Sequence, residues 1–149
     1  MSTSSSAGGG KPRAPRIVQT VLDGTDIRTL VEFYRRLPGL RYPPGDGGPD
    51  PAAEDWLVLH AAPGGHQLAF HKVDELPPST WPDHRVPQQL HLDLALDSVE
   101  DLDAWYDVLL RRGARLLFDR REYPREPLRV YAHPAGHPFC LLVELHDGA

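Results

Sequence analysis

Apolar residues recur at helical spacing in two segments of the chain, TDIRTLVEFYRRL (25–37) and DSVEDLDAWYDVL (97–109). They fall at positions 27, 30, 33/34 and 37 in the first segment, and at 99, 102, 105/106 and 109 in the second. This spacing predicts two amphipathic helices, each with one buried stripe. Asp26 and Ser98 stand where N-caps are expected, because their side chains accept hydrogen bonds from free backbone N–H groups. Pro38-Gly39 and Gly113 mark the expected helix ends.

Short apolar or alternating stretches surround each helix and predict β-strands. In the first half of the chain these are RIVQTVLD (16–23), DWLVLHAA (55–62) and GHQLAFHKV (65–73), with residues 40–42 as a weaker candidate. In the second half they are QLHLDLALD (89–97), ARLLFDR (114–120), LRVYAH (128–133) and PFCLLVEL (138–145).

The two halves repeat each other. The first strand and the helix of each half match at an offset of 72 residues, and PGGHQLAF (63–70) matches PAGHPFCL (134–141) at an offset of 71. A repeat of this size indicates two copies of one supersecondary unit. The sequence therefore predicts an α+β fold of two tandem βαβββ modules, whose curved mixed sheets form an open cup with the helices on the outer face.

The predicted division of the chain follows from this repeat and from the Pro-rich stretches. We expect a disordered tail over residues 1–14, because Ser and Gly cannot offset their own ordering entropy. One domain over 15–149 follows, with module one at 15–73, a Pro-rich linker at 74–88 and module two at 89–146. Trp81 in the linker is either a lid residue over a site or a residue that fixes the linker to the core.

Side chains alternate across a strand, so the strand pattern predicts which residues share a face. In 89–97, Leu90, Leu92, Leu94 and Leu96 form one face, and His91 and Asp93 lie on the other. The leucine face is expected to bury against the helices, because each buried aliphatic side chain contributes about 1.5–3 kcal/mol. The repeat then places one set of residues around a shared concavity: Gln19, Ala69 or His71, His91 with Asp93, and Cys140 or Glu144.

Composition excludes several classes of protein. The net charge is −5 without a Lys/Arg block, which argues against a nucleic-acid surface. No window approaches the roughly 18 apolar residues of a membrane span, and the first residues lack a signal-peptide core. The single cysteine excludes an internal disulfide and suits a reducing cytoplasm, which is the expected location.

The chain resembles the vicinal oxygen chelate superfamily, which includes glyoxalase I, extradiol dioxygenases, fosfomycin-resistance transferases and bleomycin-resistance proteins. The resemblance rests on the paired modules, on the helix motifs Phe33-Tyr34 and Trp105-Tyr106, and on a final strand preceded by a turn similar to D-P-x-G, here His133-Pro134-Ala135-Gly136. It covers residues 16–145 and is strongest to the glyoxalase-like domain branch. It implies a cup that binds a small molecule, and it implies a homodimer.

The resemblance also implies where a metal ion would be bound. The family's four ligand positions fall on Gln19, Ala69, His91 and Cys140, and of these residues only His91 is of the usual type. The sequence thus predicts a cup without the standard metal site. If a divalent metal (Zn, Ni, Fe or Mn) is present, His91 would bind it with Cys140, Gln19 or Glu144, and for zinc His71 or Asp93 are further donors.

Individual residues allow a functional and a structural interpretation. His91 beside Asp93 is either a general base oriented by a carboxylate or a solvated polar pair. We interpret Cys140 as a buried apolar residue rather than a nucleophile, and His66 and His137 as turn-stabilising residues. His71 and Glu144 share the parity of the cup and could replace lost ligands.

Three hypotheses follow. In the first, the protein binds a small organic molecule in the cup without a metal. In the second, it is a lyase, isomerase or dioxygenase acting on a substrate with vicinal oxygens, through a metal at His91 or through His91 as a metal-free base. In the third, the cup is filled by side chains and the protein is a structural or regulatory partner with no ligand.

Overall fold

The computed structural model describes residues 11–37, 40–43, 55–61 and 67–144. Within these ranges the chain forms seven strands and two helices, in the order predicted by the periodicity. The first half contains β1 (Gln19–Gly24), α1 (Ile27–Arg35), β2 (Trp56–His60) and β3 (Gln67–Lys72). The second half contains β4 (Leu92–Leu96), α2 (Val99–Arg111), β5 (Arg115–Arg120), β6 (Leu128–Ala132) and β7 (Pro138–Val143).

Both helices begin at the predicted caps. The Asp26 carboxylate accepts from the backbone N–H of Thr29, and the Ser98 hydroxyl accepts from that of Asp101. Gly113 follows α2 with a φ of +97°, a conformation that glycine adopts without the steric cost that other residues bear. Pro38-Gly39, the predicted end of α1, lies outside the described residues.

The two sheets share one topology. The first has the strand order β1-β3-β2 and the second β4-β7-β6-β5. In each, the first strand of the module runs parallel to the last (β1 with β3, β4 with β7), and the remaining pairs are antiparallel. The sheets are open, so the chain has the predicted α+β fold. Residues 11–18, before β1, are exposed and have neither helix nor strand.

The weak strand candidate at residues 40–42 is reduced to one bridge. Arg41 exchanges both backbone hydrogen bonds with His60, at 3.0 and 2.9 Å, and no strand of module one within the described residues continues this pairing. Pro43 follows two residues later and has no N–H to donate, so it interrupts any ladder there. The described part of the first sheet therefore has one strand fewer than the second.

A single apolar core joins the two modules. The predicted inner faces are confirmed: Leu68 and Phe70 of β3 and Phe139 and Leu141 of β7 are all buried in it. The Phe33 and Tyr34 rings of α1 lie 5.7 and 6.0 Å from the ring of Phe139. Helix α1 thus packs against the second sheet as well as its own. Ring pairs at these distances add about 0.5–1.5 kcal/mol each to the free energy of apolar burial.

The leucine face of β4 is buried less than expected. Leu92, Leu94 and Leu96 are half-buried against the core, but Leu90 precedes the strand and is 54% exposed. Leu90 lies between the linker and β4, so the alternation of the strand does not extend to it. Trp105 of α2 is likewise only half-buried.

A buried arginine links α2 to β5 and β6 of its sheet. The guanidinium of Arg129 on β6 lies 4.8 Å from the centre of the Tyr106 ring and forms ion pairs at 3.3 Å with Asp103 and Asp119. Arg121 adds a shorter ion pair to Asp103, at 2.6 Å. Neither helix is long and apolar enough to cross a membrane.

Candidate functional site

The concave face of the second sheet presents two rows of side chains. Strand register places Asp93, Cys140, Val130 and Phe118 side by side in one row. The next row contains Ala95, Leu142, Leu128 and Arg120. This face is the one on which the sequence placed His91, Asp93 and Cys140, and its centre is apolar.

An irregularity in β5 decides which residues of that strand reach the concave face. Leu116 lies opposite Tyr131 and packs against the core, but Phe118 lies opposite Val130. The extra residue between them forms a β-bulge, which moves the following side chains to the other face of the sheet. Phe118 and Arg120 therefore point away from the core, although strict alternation would place them on the face of Leu116.

A cavity of about 280 Å³ lies over this face. Strands β4 to β7 supply its floor and walls, and the linker supplies its cover. The lining residues are Trp81, Gln88, His91, Asp93, Phe118, Arg120, Glu126, Leu128, Val130, Cys140 and Leu142. This volume is close to the range of small-molecule sites, and the mixture of an apolar floor with few polar groups is typical of them.

The linker holds Trp81 over the cavity through its own hydrogen bonds. Thr80 and Val86 exchange bonds across the loop, with Thr80 N–H donating to the Val86 carbonyl at 2.8 Å and Val86 N–H donating to the Thr80 hydroxyl at 2.9 Å. The backbone N–H of Trp81 donates to the Ser79 hydroxyl, at 3.1 Å. The Trp81 ring packs edge-to-face against Phe118, with ring centres 6.0 Å apart. Trp81 is therefore fixed on the concave side of the sheet, opposite the core.

The linker ends in a tight turn beside the cavity. The Leu90 N–H donates to the Gln88 carbonyl at 2.6 Å, and Gln89 between them has a φ of +59°. This is a γ-turn of the rarer, strained hand. Gln88 lines the cavity and also a second cavity of about 330 Å³ that lies between β1, the linker and the turn at 133–137. The turn directs the chain into β4 and places His91 at the rim.

His91 and Asp93 are in contact, as their spacing suggested. His91 Nε2 lies 3.1 Å from Asp93 Oδ1, and both side chains are about half exposed to solvent. Cys140 lies beside Asp93 and is buried. Burial, followed by the negative charges of Asp93 and Glu126, raises the pKa of the Cys140 thiol to about 12. The thiol is protonated near neutral pH and is a weak nucleophile, in agreement with its interpretation as an apolar residue.

Four of the eight predicted pocket residues line this cavity: Trp81, His91, Asp93 and Cys140. Gln19, Ala69 and His71 lie on the first sheet, and Glu144 follows β7. None of these four is among the residues that line the cavity. The structure thus brings Trp81 of the linker together with three residues of module two, whereas Glu144 and the three module-one residues do not line the cavity.

The concave face of the first sheet has a different surface. His71 Nδ1 lies 3.4 Å from Asp23 Oδ1 across the β1–β3 pair, and Trp56 stands opposite His71 on β2. The Trp56 ring is 43% exposed. Ala69, between these strands, is fully buried and has no donor atom. Within the described residues this module has no aromatic cover equivalent to Trp81 with Phe118.

The turn before β7 keeps its geometry although His133 replaces the aspartate of the resemblance. His133 Nδ1 accepts from the Ala135 N–H at 3.1 Å, as an Asp side chain does in an Asx-turn. Gly136 has a φ of +92°, and a Cβ there would lie 2.7 Å from Pro78 Cβ of the linker. His137 Nε2 bonds the Leu90 carbonyl, which supports its interpretation as a structural residue. His66, its counterpart in the repeat, lies outside the described residues.

The residues at the family's metal positions do not fit a divalent ion. Ala69 offers no ligand, Gln19 belongs to the other sheet, and the Cys140 thiol would have to lose a proton that its buried surroundings retain. Among the residues that the structure describes, no three His, Cys, Asp or Glu side chains converge in a way that could hold a metal ion. His91 alone keeps a ligand type, and a metal site requires several.

Comparison with known families now identifies the class of this protein. The model of the glyoxalase-like domain matches residues 19–142, so the chain belongs to that family and to the vicinal oxygen chelate superfamily. A comparison with curated proteins gave no match.

Solved structures of the same superfamily share the fold. A glyoxalase/bleomycin resistance protein/dioxygenase family enzyme from Burkholderia phytofirmans PsJN is 16% identical, with 88% of this chain and 100% of that chain covered and a TM-score of 0.65. A protein of the same description from Nocardioides is 18% identical, with coverages of 93% and 89% and a TM-score of 0.60.

A fosfomycin resistance protein, FosX from Listeria monocytogenes, is also similar in fold. It is 12% identical, with 91% of this chain and 94% of that chain covered and a TM-score of 0.65. That structure is of a mutant in complex with Mn(II) and 1S,2S-dihydroxypropylphosphonic acid. At this identity the likeness concerns the fold.

Sequence reasoning missed several residues of the cavity. Phe118 and Arg120 were hidden by the bulge, and Glu126 precedes a strand in a stretch without a motif. Leu128, Val130 and Leu142 are apolar like the core residues beside them, so pattern alone does not separate the two faces of β6. For Leu142 a signal existed, because it shares the parity of Cys140 on β7.

Proposed function

We propose that this protein binds a small organic molecule in the cavity of module two, without the metal ion used elsewhere in its superfamily. The observation that supports this most directly is the cavity itself, which has an apolar floor and an ordered aromatic cover. The residues at the family's ligand positions support binding without a metal. Ala69 has no side-chain ligand atom, and the Cys140 thiol is protonated near neutral pH.

Binding there would derive its free energy mainly from apolar burial. Leu128, Val130 and Leu142 are half-buried and face the cavity, so a ligand would remove their remaining apolar surface from water. Trp81 and Phe118 offer aromatic surface at the cover. Since the linker already holds Trp81 in place, little ordering entropy would be lost on binding.

A second candidate function is metal-free acid–base catalysis by His91. The contact between His91 Nε2 and Asp93 favours it, because a carboxylate bonded to one ring nitrogen orients the other toward a substrate. A proton taken from the ligand would move to the free ring nitrogen, Nδ1. Loss of activity in a His91→Gln variant that still binds the substrate would identify this role once a reaction is found.

Thermal-shift screening of a metabolite collection tests the binding proposal. A ligand in excess of its dissociation constant by about 100-fold adds roughly 2.7 kcal/mol to the free energy of unfolding. The stabilisation should disappear in a Trp81→Ala variant and remain in a His71→Ala variant, since His71 lies on the other sheet. Stabilisation that is lost in His71→Ala but kept in Trp81→Ala would place the ligand on module one and contradict the proposal.

Assembly into a homodimer stays a prediction from the family resemblance. Sedimentation velocity over a range of protein concentrations would test it, and a monomer at all concentrations would contradict it.

A further inference from the structure

The cavity of module two carries an imbalance of charge. Asp93 and Glu126 are its acidic lining residues and Arg120 is its basic one. Both carboxylates are close enough to Cys140 for their charges to act on its thiol. The apolar floor is therefore flanked by negative charge on the side of β4 and on the side of the segment before β6.

The one arginine among the lining residues contacts two aromatic rings of the protein. The Arg120 guanidinium lies 4.7 Å from the centre of the Tyr123 ring and 5.8 Å from that of Phe118. Tyr123 is not a lining residue; it belongs to a neighbouring surface depression that also contains Asp119 and Glu122. A cation above an aromatic ring is attracted by the electron-rich face, so this contact keeps the guanidinium beside Tyr123.

The aromatic residues that cover the cavity also favour a positively charged ligand. Trp81 and Phe118 both line the cavity, and tryptophan is the side chain whose ring face attracts cations most strongly. A ligand under this cover would contact aromatic surface together with the carboxylates of Asp93 and Glu126. Aromatic faces and carboxylates both favour positive charge, and the apolar floor favours an organic body.

From this arrangement we infer that the cavity selects small organic cations, in which an ammonium or similar group is attached to an apolar or aromatic body. The inference rests on the proposed function, since it names the class of ligand for the same cavity. It goes beyond it in assigning Asp93 and Glu126 as residues that determine specificity.

Three aryl probes of similar shape and different charge test the inference: phenyltrimethylammonium, tert-butylbenzene and benzenesulfonate. Their dissociation constants are measured on the full chain by NMR titration, with the indole N–H resonance of Trp81 as the reporter of the site. We expect the cation to bind about tenfold or more tightly than the neutral probe, and the anion to bind most weakly, because two partly exposed carboxylates act at short range.

Charge-removing variants of matched shape locate the origin of the preference. Asp93→Asn and Glu126→Gln should each weaken binding of the cation by about threefold to tenfold. Neither variant should change the dissociation constant of tert-butylbenzene. Arg120→Gln is the control variant and should not weaken binding of the cation.

The outcomes separate the two proposals. If tert-butylbenzene binds in a Trp81-dependent manner but the cation shows no advantage, or the anion binds best, the cation inference is overturned and the binding site stands. If no probe perturbs the Trp81 resonance at millimolar concentration, both proposals fail. A cation advantage that persists in the Asp93→Asn, Glu126→Gln double variant would overturn the assignment of these residues.

Discussion

The two modules differ far more on their concave faces than in their cores. Leu68 and Phe70 of module one correspond in the repeat to Phe139 and Leu141 of module two, and all four are buried in one core. At the family's ligand positions, Gln19 corresponds to His91 and Ala69 to Cys140. The cores match in chemistry and the cup residues do not.

This difference indicates which constraint acts on each face. A core position must be apolar and of suitable volume in either module, because the interior is close-packed. A concave position contacts water or a ligand and is free to diverge. Module two has the cover of Trp81 and Phe118, whereas module one presents an exposed Trp56 beside His71 and Asp23.

The largest expected effect tests whether the cores are equivalent. Phe139→Ala should lower the free energy of unfolding by about 4 kcal/mol, because its ring packs against α1, the helix that joins the two sheets. Leu68→Ala, at the corresponding position of module one, should lower it by about 3 kcal/mol. Urea denaturation measures both. Leu142→Ala, on the concave face of β7, serves as the control and should cost only about 1 kcal/mol. A cost for Leu142→Ala equal to that for Phe139→Ala would contradict the assignment of faces.

A pH effect is expected from the turn before β7 in module two, which has no titratable counterpart in module one. Burial, and secondly the neighbouring His137, lowers the pKa of His133 to about 4 from an ordinary value of 6.5. Since the unfolded chain binds the proton first as pH falls, stability should be complete above about pH 6.5 and decline until about pH 4. The expected loss from this group is about 3 kcal/mol. Ala62 occupies the corresponding position of module one and cannot titrate.

The His133→Asn variant isolates this contribution. An asparagine oxygen can accept the Ala135 N–H that His133 Nδ1 accepts, so the turn should persist without the titration. The free energy of unfolding is measured at several pH values between pH 4 and pH 7 for both proteins. Identical pH dependence in the two proteins would show that His133 is not the titrating group.

The smallest predicted effect concerns the contact between the linker and the last turn. Gly136 and Gly113 have similar φ angles, +92° and +97°, but only at Gly136 would a Cβ collide with Pro78. Alanine at Gly113 should cost about 1 kcal/mol from backbone conformation alone. Gly136→Ala should cost roughly 2 kcal/mol, and thermal unfolding would measure the difference. Equal losses of stability in the two variants would mean that Pro78 moves away from the added Cβ without a loss of stability.

Much of the fold was predictable because its signals are local. The caps at Asp26 and Ser98, the helical stripes, and the alternation of β3 and β7 all depend on residues near each other in sequence. The fourth strand of module one was the weakest of the strand predictions, and Pro43 limits it to a bridge. Leu90 was assigned to the core from alternation, but it is the last residue of the γ-turn centred on Gln89 and lies outside β4.

The candidate site was only half predictable because it depends on contacts between distant segments. The repeat and the parity of strands determined that His91, Asp93 and Cys140 share one face. Only the tertiary structure decided that the linker carries Trp81 over that face, and that a bulge in β5 turns Phe118 and Arg120 toward it. Pattern fixes the two sides of each strand through local geometry, whereas register, bulges and the path of a linker result from packing the whole chain.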